Sequence, residues 1–236
     1  MRVKTTIAYN GTTFLGSQIQ KESQNTINGV IEKVLAQLNI NSTLIASGRT
    51  DKAVHATGQV LHFDIPSFWE NLNKLKKVLN EILPLSIRVK SIILVDDDFH
   101  ARYDAKKRVY RYIIKDTHSN PFENEIISFY PNINLEQIQQ NIKIFEGVHD
   151  FLYFMKTGSE VQSTSREIYK TRAYKYKNFI ILYFEANGFL RSQIRLMVGA
   201  LLSLDAKKIQ EQLSLGKKHK IKPAKANGLY LAKIKY

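Results

Sequence analysis

The stretch Ser47-Gly48-Arg49-Thr50-Asp51 brings a glycine, a guanidinium and a carboxylate together in a polar segment between two apolar ones. An arginine beside an aspartate favours the ionised carboxylate, the form that a nucleophile or general base requires. A loop on a rigid scaffold is also where side chains are presented to a ligand. The same residue types build an ordinary Asx-type turn with a weak surface ion pair, so the pentapeptide alone specifies no reaction. A second segment, Arg102 to Lys115, reads RYDAKKRVYRYIIK and carries six cations against the single acid Asp104. In a strand, Tyr110 and Tyr112 share one face and Arg111 takes the other. Cations meet phosphates while rings stack on bases, so this interleaving suits a nucleic-acid surface. An edge strand with solvated cations and half-buried tyrosines carries the same pattern. The third segment, Asn187 to Gly199, sets Arg191 and Arg195 four residues apart beside the apolar stripe Ile194, Met197, Val198 and Leu201. An arginine next to a buried stripe needs a partner or must snorkel to water. A carboxylate is the natural partner, and Asp51 is one candidate.

These side chains need elements to hold them. Arg2 to Tyr9 is β-prone and ends at the turn signal Asn10-Gly11. Ile27, Val30, Ile31, Val34, Leu35 and Leu38 follow the spacing of one helical face. Strands are expected at Ser42 to Ala46 and Gly58 to Asp64, a helix over Leu72, Leu75, Val78, Leu79 and Ile82, and a strand at Ile87 to Val95. A similar series follows: a strand at Val109 to Lys115, a helix over Leu135 to Phe145, two strands within Ile168 to Glu185, a helix at Phe189 to Leu204, and a strand from Leu229 to Tyr236. The expected fold class is α+β, in two tandem related halves with mainly antiparallel sheets and helices packed on one face. The expected halves are residues 1–105, carrying the aspartate loop, and 106–236, carrying the tyrosine strand, the arginine helix and a basic terminal segment. The polar, aperiodic loop 156–165 is the best candidate for mobile structure.

Composition narrows the partners. The 236 residues carry 35 Lys plus Arg against 21 Asp plus Glu, a formal net charge of +14, and 44% are hydrophobic. That apolar fraction supports a sizeable core, and the charge points to a polyanion. No cysteine is present, which removes disulfides, thiolate nucleophiles and cysteine-ligated metals and fits a reducing compartment such as the cytoplasm. No run of 18 apolar residues offers a membrane span, and no lipidation motif or export signal is seen. Residues 205–236 hold nine lysines and two acids, half of the net charge, and Arg102 to Lys115 adds a further +5.

Taken in order, the motifs resemble the tRNA pseudouridine synthase A family. Tyr9 to Gly16 (YNGTTFLG) is similar to its opening motif, and Ser47 to Ala56 (SGRTDKAVHA) to the signature loop around its catalytic aspartate. Phe99 to Arg102, Tyr110-Arg111-Tyr112, Gly147 to Phe151, Phe189 to Gly199 and Asn227 to Leu231 continue the series. The departures are Ser17, where the family usually has Trp, and Lys52-Ala53, where it usually has Ala-Gly. A β-carbon in place of that glycine restricts positive φ in the loop. The resemblance implies an RNA cleft between the halves, a homodimer, and isomerisation of uridine to pseudouridine at positions 38, 39 and 40 in the anticodon stem-loop of tRNA. It implies Asp51 as the nucleophile, attacking sugar C1′ or base C6, with no metal or organic cofactor. Tyr110 would stack on the flipped base and take the C5 proton, Arg195 would pair with Asp51, Arg49 would hold the RNA backbone and Leu229 would line the uracil pocket. Extrusion is needed because the reacting atoms are inaccessible inside a stacked stem.

Two rival classes share some of these features. A structured-RNA binding protein without catalysis needs the cations, but gains nothing from an acid facing phosphate. A metal-dependent hydrolase needs clustered ligands, whereas His55, His62, His100, His118, His149 and His219 are dispersed and Asp96 to Asp98 reads as a solvated turn. His55 is expected to shape the signature loop, and Asp150 to serve as a cap or turn residue.

Overall fold

A computed structural model of the protein describes every residue but Glu22, His118, Ser119, Ser159 and Glu160. Two positions of the loop 156–165 thus lie outside the described residues, as does one of the six histidines. The elements run β1 (Arg2–Tyr9), α1 (Ile27–Gln37), β2 (Ile45–Ala46), β3 (His55–Asp64), α2 (Leu72–Ile82) and β4 (Ile87–Leu94). They continue with β5 (Lys107–Lys115), β6 (Ser128–Phe129), α3 (Leu135–Asn141), β7 (Gly147–Asp150), β8 (Ser165–Tyr176) and β9 (Phe179–Ala186). The series ends with α4 (Gln193–Ser203), α5 (Ala206–Leu213) and β10 (Leu229–Lys235). The architecture is α+β, and its strands pair mainly antiparallel.

Two compact units result: Met1–Lys106 with Tyr230–Tyr236, and Lys107–Leu229. The expected second half takes in all of 106–236. The last seven residues instead join the first unit, because β10 adds in parallel to β3 with Tyr230 opposite His55 and Leu231 opposite Ala56.

In the first unit, β1 lies antiparallel between β3 and β4. Its strict alternation turns Val3, Thr5, Ile7 and Tyr9 inward. Helix α1 buries Ile27, Ile31, Val34 and Leu35, and α2 buries Leu75 and Leu79, so each covers the core with one apolar stripe. Thr26 caps α1 by accepting the Gly29 N–H, and Asn71 caps α2 by accepting the Lys74 N–H.

In the second unit, β5 pairs with β9, β9 with β8 and β8 with β7, all antiparallel, while β6 runs parallel to β5. Its core includes Tyr112, Phe145, Phe151, Phe154, Phe184 and Met197.

Several bounds differ from the periodicity reading. The strand expected at Ser42 to Ala46 pairs only at Ile45–Ala46. The helix expected over Leu135 to Phe145 tightens to a 3-10 turn after Asn141. Helix α4 begins at Gln193 rather than Phe189: Ser192 sits at φ 59°, and the Gln193 side chain accepts the Leu190 N–H at 2.7 Å. Arg191 therefore precedes the helix and does not share a helical face with Arg195. Elements β6, β7 and α5 are too short or too Lys-rich to stand out by periodicity.

Candidate active site

Asp51 lies half-buried and Arg49 exposed on the segment joining β2 to β3 in the first unit. That segment belongs to no helix or strand, and side-chain bonds join a few main-chain ones in setting its shape. Upstream, the buried Gln59 of β3 takes a hydrogen bond from Ser47 Oγ at 2.7 Å and gives one to the Gly48 carbonyl at 2.8 Å. At the centre, the Thr50 N–H donates to Ser17 Oγ at 2.8 Å and the Ser17 N–H donates to the Thr50 carbonyl at 3.1 Å. The Thr50 and Tyr9 hydroxyls meet at 2.8 Å. Burial pushes the Tyr9 hydroxyl up to about 12, against the opposing pull of its hydrogen bonds to Thr50 and Gln59, so it stays protonated at neutral pH.

Downstream of the acid, the Val54 N–H donates to the Asp51 carbonyl at 3.2 Å, and Ala53 completes the turn at φ 62°. This is the position where the resemblance expects glycine. The left-handed turn is therefore kept despite the β-carbon, at a strain of about 1 kcal/mol. Gly11 approaches the turn so closely that a Cβ would lie 2.0 Å from the Val54 carbonyl oxygen. Its N–H donates to His55 Nδ1 at 3.1 Å, and the buried His55 ring stacks on Tyr230 at 4.7 Å. Nδ1 is thus unprotonated and engaged, a structural role for His55. The motif Tyr9 to Gly16, with Ser17, forms one wall of the aspartate loop. The carbonyls of Gly16 and Ser17 in turn accept the Ile27 and Asn28 N–H groups, which are unspent donors at the start of α1.

The second unit carries Tyr110, Arg195 and Leu229 on regular elements. Tyr110 and Tyr112 face the core from β5, while Arg111 is exposed on the other face. Tyr110 meets Phe189 edge to face at 5.3 Å. The Tyr112 hydroxyl lies within the unit 2.8 Å from both Ser128 Oγ and the Lys225 carbonyl, and burial raises its pKa far above the tyrosine norm. Arg195 is on the first turn of α4, where its Nε donates to the Ala224 carbonyl at 2.7 Å. Leu229 is buried at the start of β10, just after Asn227, whose side chain bonds the carbonyls of Asn124 and Ile127 and takes a bond from Ser128 Oγ. Asp150 Oδ1 accepts the Leu152 N–H, a turn role.

The arrangement thus presents one carboxylate with a guanidinium two residues away in one unit, and a tyrosine, an arginine and an apolar side chain in the other. Among the described residues no group of three or more His, Asp or Glu side chains is placed to hold a metal ion. None of the described helices is long and apolar enough to cross a membrane. Residues that the sequence reading missed are Tyr9 as a hydroxyl partner, Ser17 and Gln59. No local signal in the sequence marks Ser17 or Gln59, because their partners lie 33 and 11 to 12 residues away.

The sequence pattern of the tRNA pseudouridine synthases matches residues 6–104 and 142–236, so that Tyr110 falls between the two matched segments. A tRNA pseudouridine synthase A of Campylobacter jejuni (strain RM1221) is 38% identical, with 100% of both chains covered. One of Helicobacter hepaticus is 39% identical over 99% of this chain and 98% of its own. One of Limosilactobacillus reuteri is 38% identical over 100% of this chain and 96% of its own. The chain belongs to the tRNA pseudouridine synthase family, and is thereby an isomerase.

Proposed function

We propose that the protein converts uridine to pseudouridine at positions 38, 39 and 40 in the anticodon stem-loop of tRNA, with Asp51 as the nucleophile. The observation that carries this reading is the effort spent on one acid. In a protein of net charge +14, a carboxylate facing RNA repels phosphate, yet buried hydrogen bonds flank Asp51 on both sides. Chemistry at that carboxylate gives the arrangement a use that supports this reading.

In the proposed reaction the Asp51 carboxylate adds to C1′ or C6 of the extruded uridine, and the C1′–N1 bond breaks. The base turns, C5 bonds to C1′, the bond to Asp51 breaks and frees its carboxylate, the C5 proton leaves and N1 gains a proton, so atoms balance with no co-reactant. Tyr110 stacks on the base and takes the C5 proton. Arg195 pairs with Asp51 and keeps it ionised, Arg49 holds the RNA backbone and Leu229 lines the uracil pocket. The lysines of residues 205–236 meet phosphates. A homodimer and a cytoplasmic setting belong to the same proposal.

The test is to incubate the protein with unmodified tRNA transcripts and map pseudouridine by a chemical adduct that stops reverse transcription. Product in the anticodon arm is expected. Product confined to another arm contradicts the site assignment, and tRNA binding without product supports a non-catalytic RNA-binding protein.

A further inference from the structure

We propose that Ser17 and Tyr9 are positioning residues for Asp51, acting through Thr50; this rests on the reading of Asp51 as the nucleophile. A carboxylate two torsions from the backbone goes where its Cα goes, and the Cα of residue 51 follows the peptide that joins it to Thr50. Every polar group of Thr50 is taken by these two residues: its N–H and carbonyl by Ser17, its hydroxyl by Tyr9. Ser17 and Tyr9 are only 1% and 4% exposed, so water does not compete for these bonds and neither side chain is available to touch tRNA. Ser17 is itself fixed, because the amides of Ile27 and Asn28 hold the carbonyls on either side of its nitrogen at 3.1 and 3.0 Å. The start of α1 is thereby linked through Gly16-Ser17 to Thr50 and on to the acid. Arg49 and Lys52, around the acid, are exposed and supply no comparable anchor. Such a linkage acts on the rate of the chemical step and not on affinity, since a displacement of about 1 Å at reacting atoms costs on the order of a hundredfold.

The experiment measures single-turnover pseudouridine formation at saturating enzyme, tRNA affinity and thermal unfolding for Ser17→Ala, Ser17→Thr, Tyr9→Phe, Ser42→Ala and Asp51→Asn beside the wild type. Ser17→Ala and Tyr9→Phe are expected to slow the reaction by roughly tenfold to a hundredfold with tRNA affinity within about twofold of wild type. Ser17→Thr keeps the acceptor and is expected to recover most of the rate. Ser42→Ala, which removes a hydroxyl that accepts the Asp64 N–H at 2.8 Å away from the loop, is expected to leave the rate unchanged. If Ser17→Ala does not fold, Tyr9→Phe decides, because it keeps the ring and deletes only the hydroxyl. Wild-type rates in the Ser17 and Tyr9 variants beside an inactive Asp51→Asn overturn the positioning role and leave the nucleophile in place. An active Asp51→Asn overturns the nucleophile itself. A rate loss that only parallels loss of tRNA affinity also overturns the proposal.

Discussion

The two units hold their candidate residues by different physics. In the first, Asp51 stands on an irregular segment whose conformation is set largely by hydrogen bonds with Tyr9, Ser17 and Gln59, with Gly11 held beside it by the bond its N–H gives to His55. In the second, Tyr110, Arg195 and Leu229 ride on a strand, a helix and the start of a strand, set among buried apolar side chains. A packed strand or helix tolerates the loss of one hydrogen bond because its neighbours keep the backbone in place. A loop fixed by a few buried polar contacts does not, since each lost partner leaves another group buried and unsatisfied. The acid's position should therefore be the more brittle of the two.

The largest effect in the second unit is expected at Tyr110. Tyr110→Phe keeps the ring and its contact with Phe189 but removes the hydroxyl, and is expected to lower the single-turnover rate by about 10²-fold or more, the usual scale for one proton-transfer group. An unchanged rate removes Tyr110 from the proton step and leaves it a stacking side chain only.

Gln59→Leu probes the first unit's network directly. It deprives Ser47 Oγ and the Gly48 carbonyl of their partner in a buried site, and is expected to destabilise the protein by about 1–3 kcal/mol while also slowing the reaction. Chemical denaturation measures the first and the tRNA assay the second. Stability lost with full activity shows that the network supports the fold but not the acid.

The smallest effect sharpens the same contrast. Ala53→Gly relieves the left-handed strain at φ 62°, worth about 1 kcal/mol in the native state, and part of that gain is offset by the freer unfolded chain. A net stabilisation well under about 1 kcal/mol is expected, read as a small rise in the unfolding midpoint, with activity retained. A large loss of activity means that the Cβ of Ala53 itself supports the loop.

The same division explains what the sequence discloses. Helix α1, helix α2 and the long strands follow from apolar spacing, because burial of one face imposes a period on the residues. Tyr110 and Arg195 are placed on their elements by the same logic, although the start of α4 is not, since the left-handed Ser192 and the bond from the Leu190 N–H to the Gln193 side chain leave no periodic trace. The aspartate loop is found only as a motif. What fixes it, such as Thr50 against Ser17 and Tyr9, pairs residues 33 and 41 positions apart, and hydrogen bonds at such separations impose no local pattern. The return of Tyr230–Tyr236 to the first unit is hidden for the same reason, because a parallel pairing with β3 depends on distant partners.

The most direct measurement is pseudouridine formation in unmodified tRNA transcripts by Asp51→Ala, read beside its tRNA affinity. The expected result is no detectable product with affinity equal to or slightly above wild type, since removing an acid from a basic surface relieves repulsion of phosphate. Product formed by Asp51→Ala at the wild-type rate contradicts the assignment of the nucleophile.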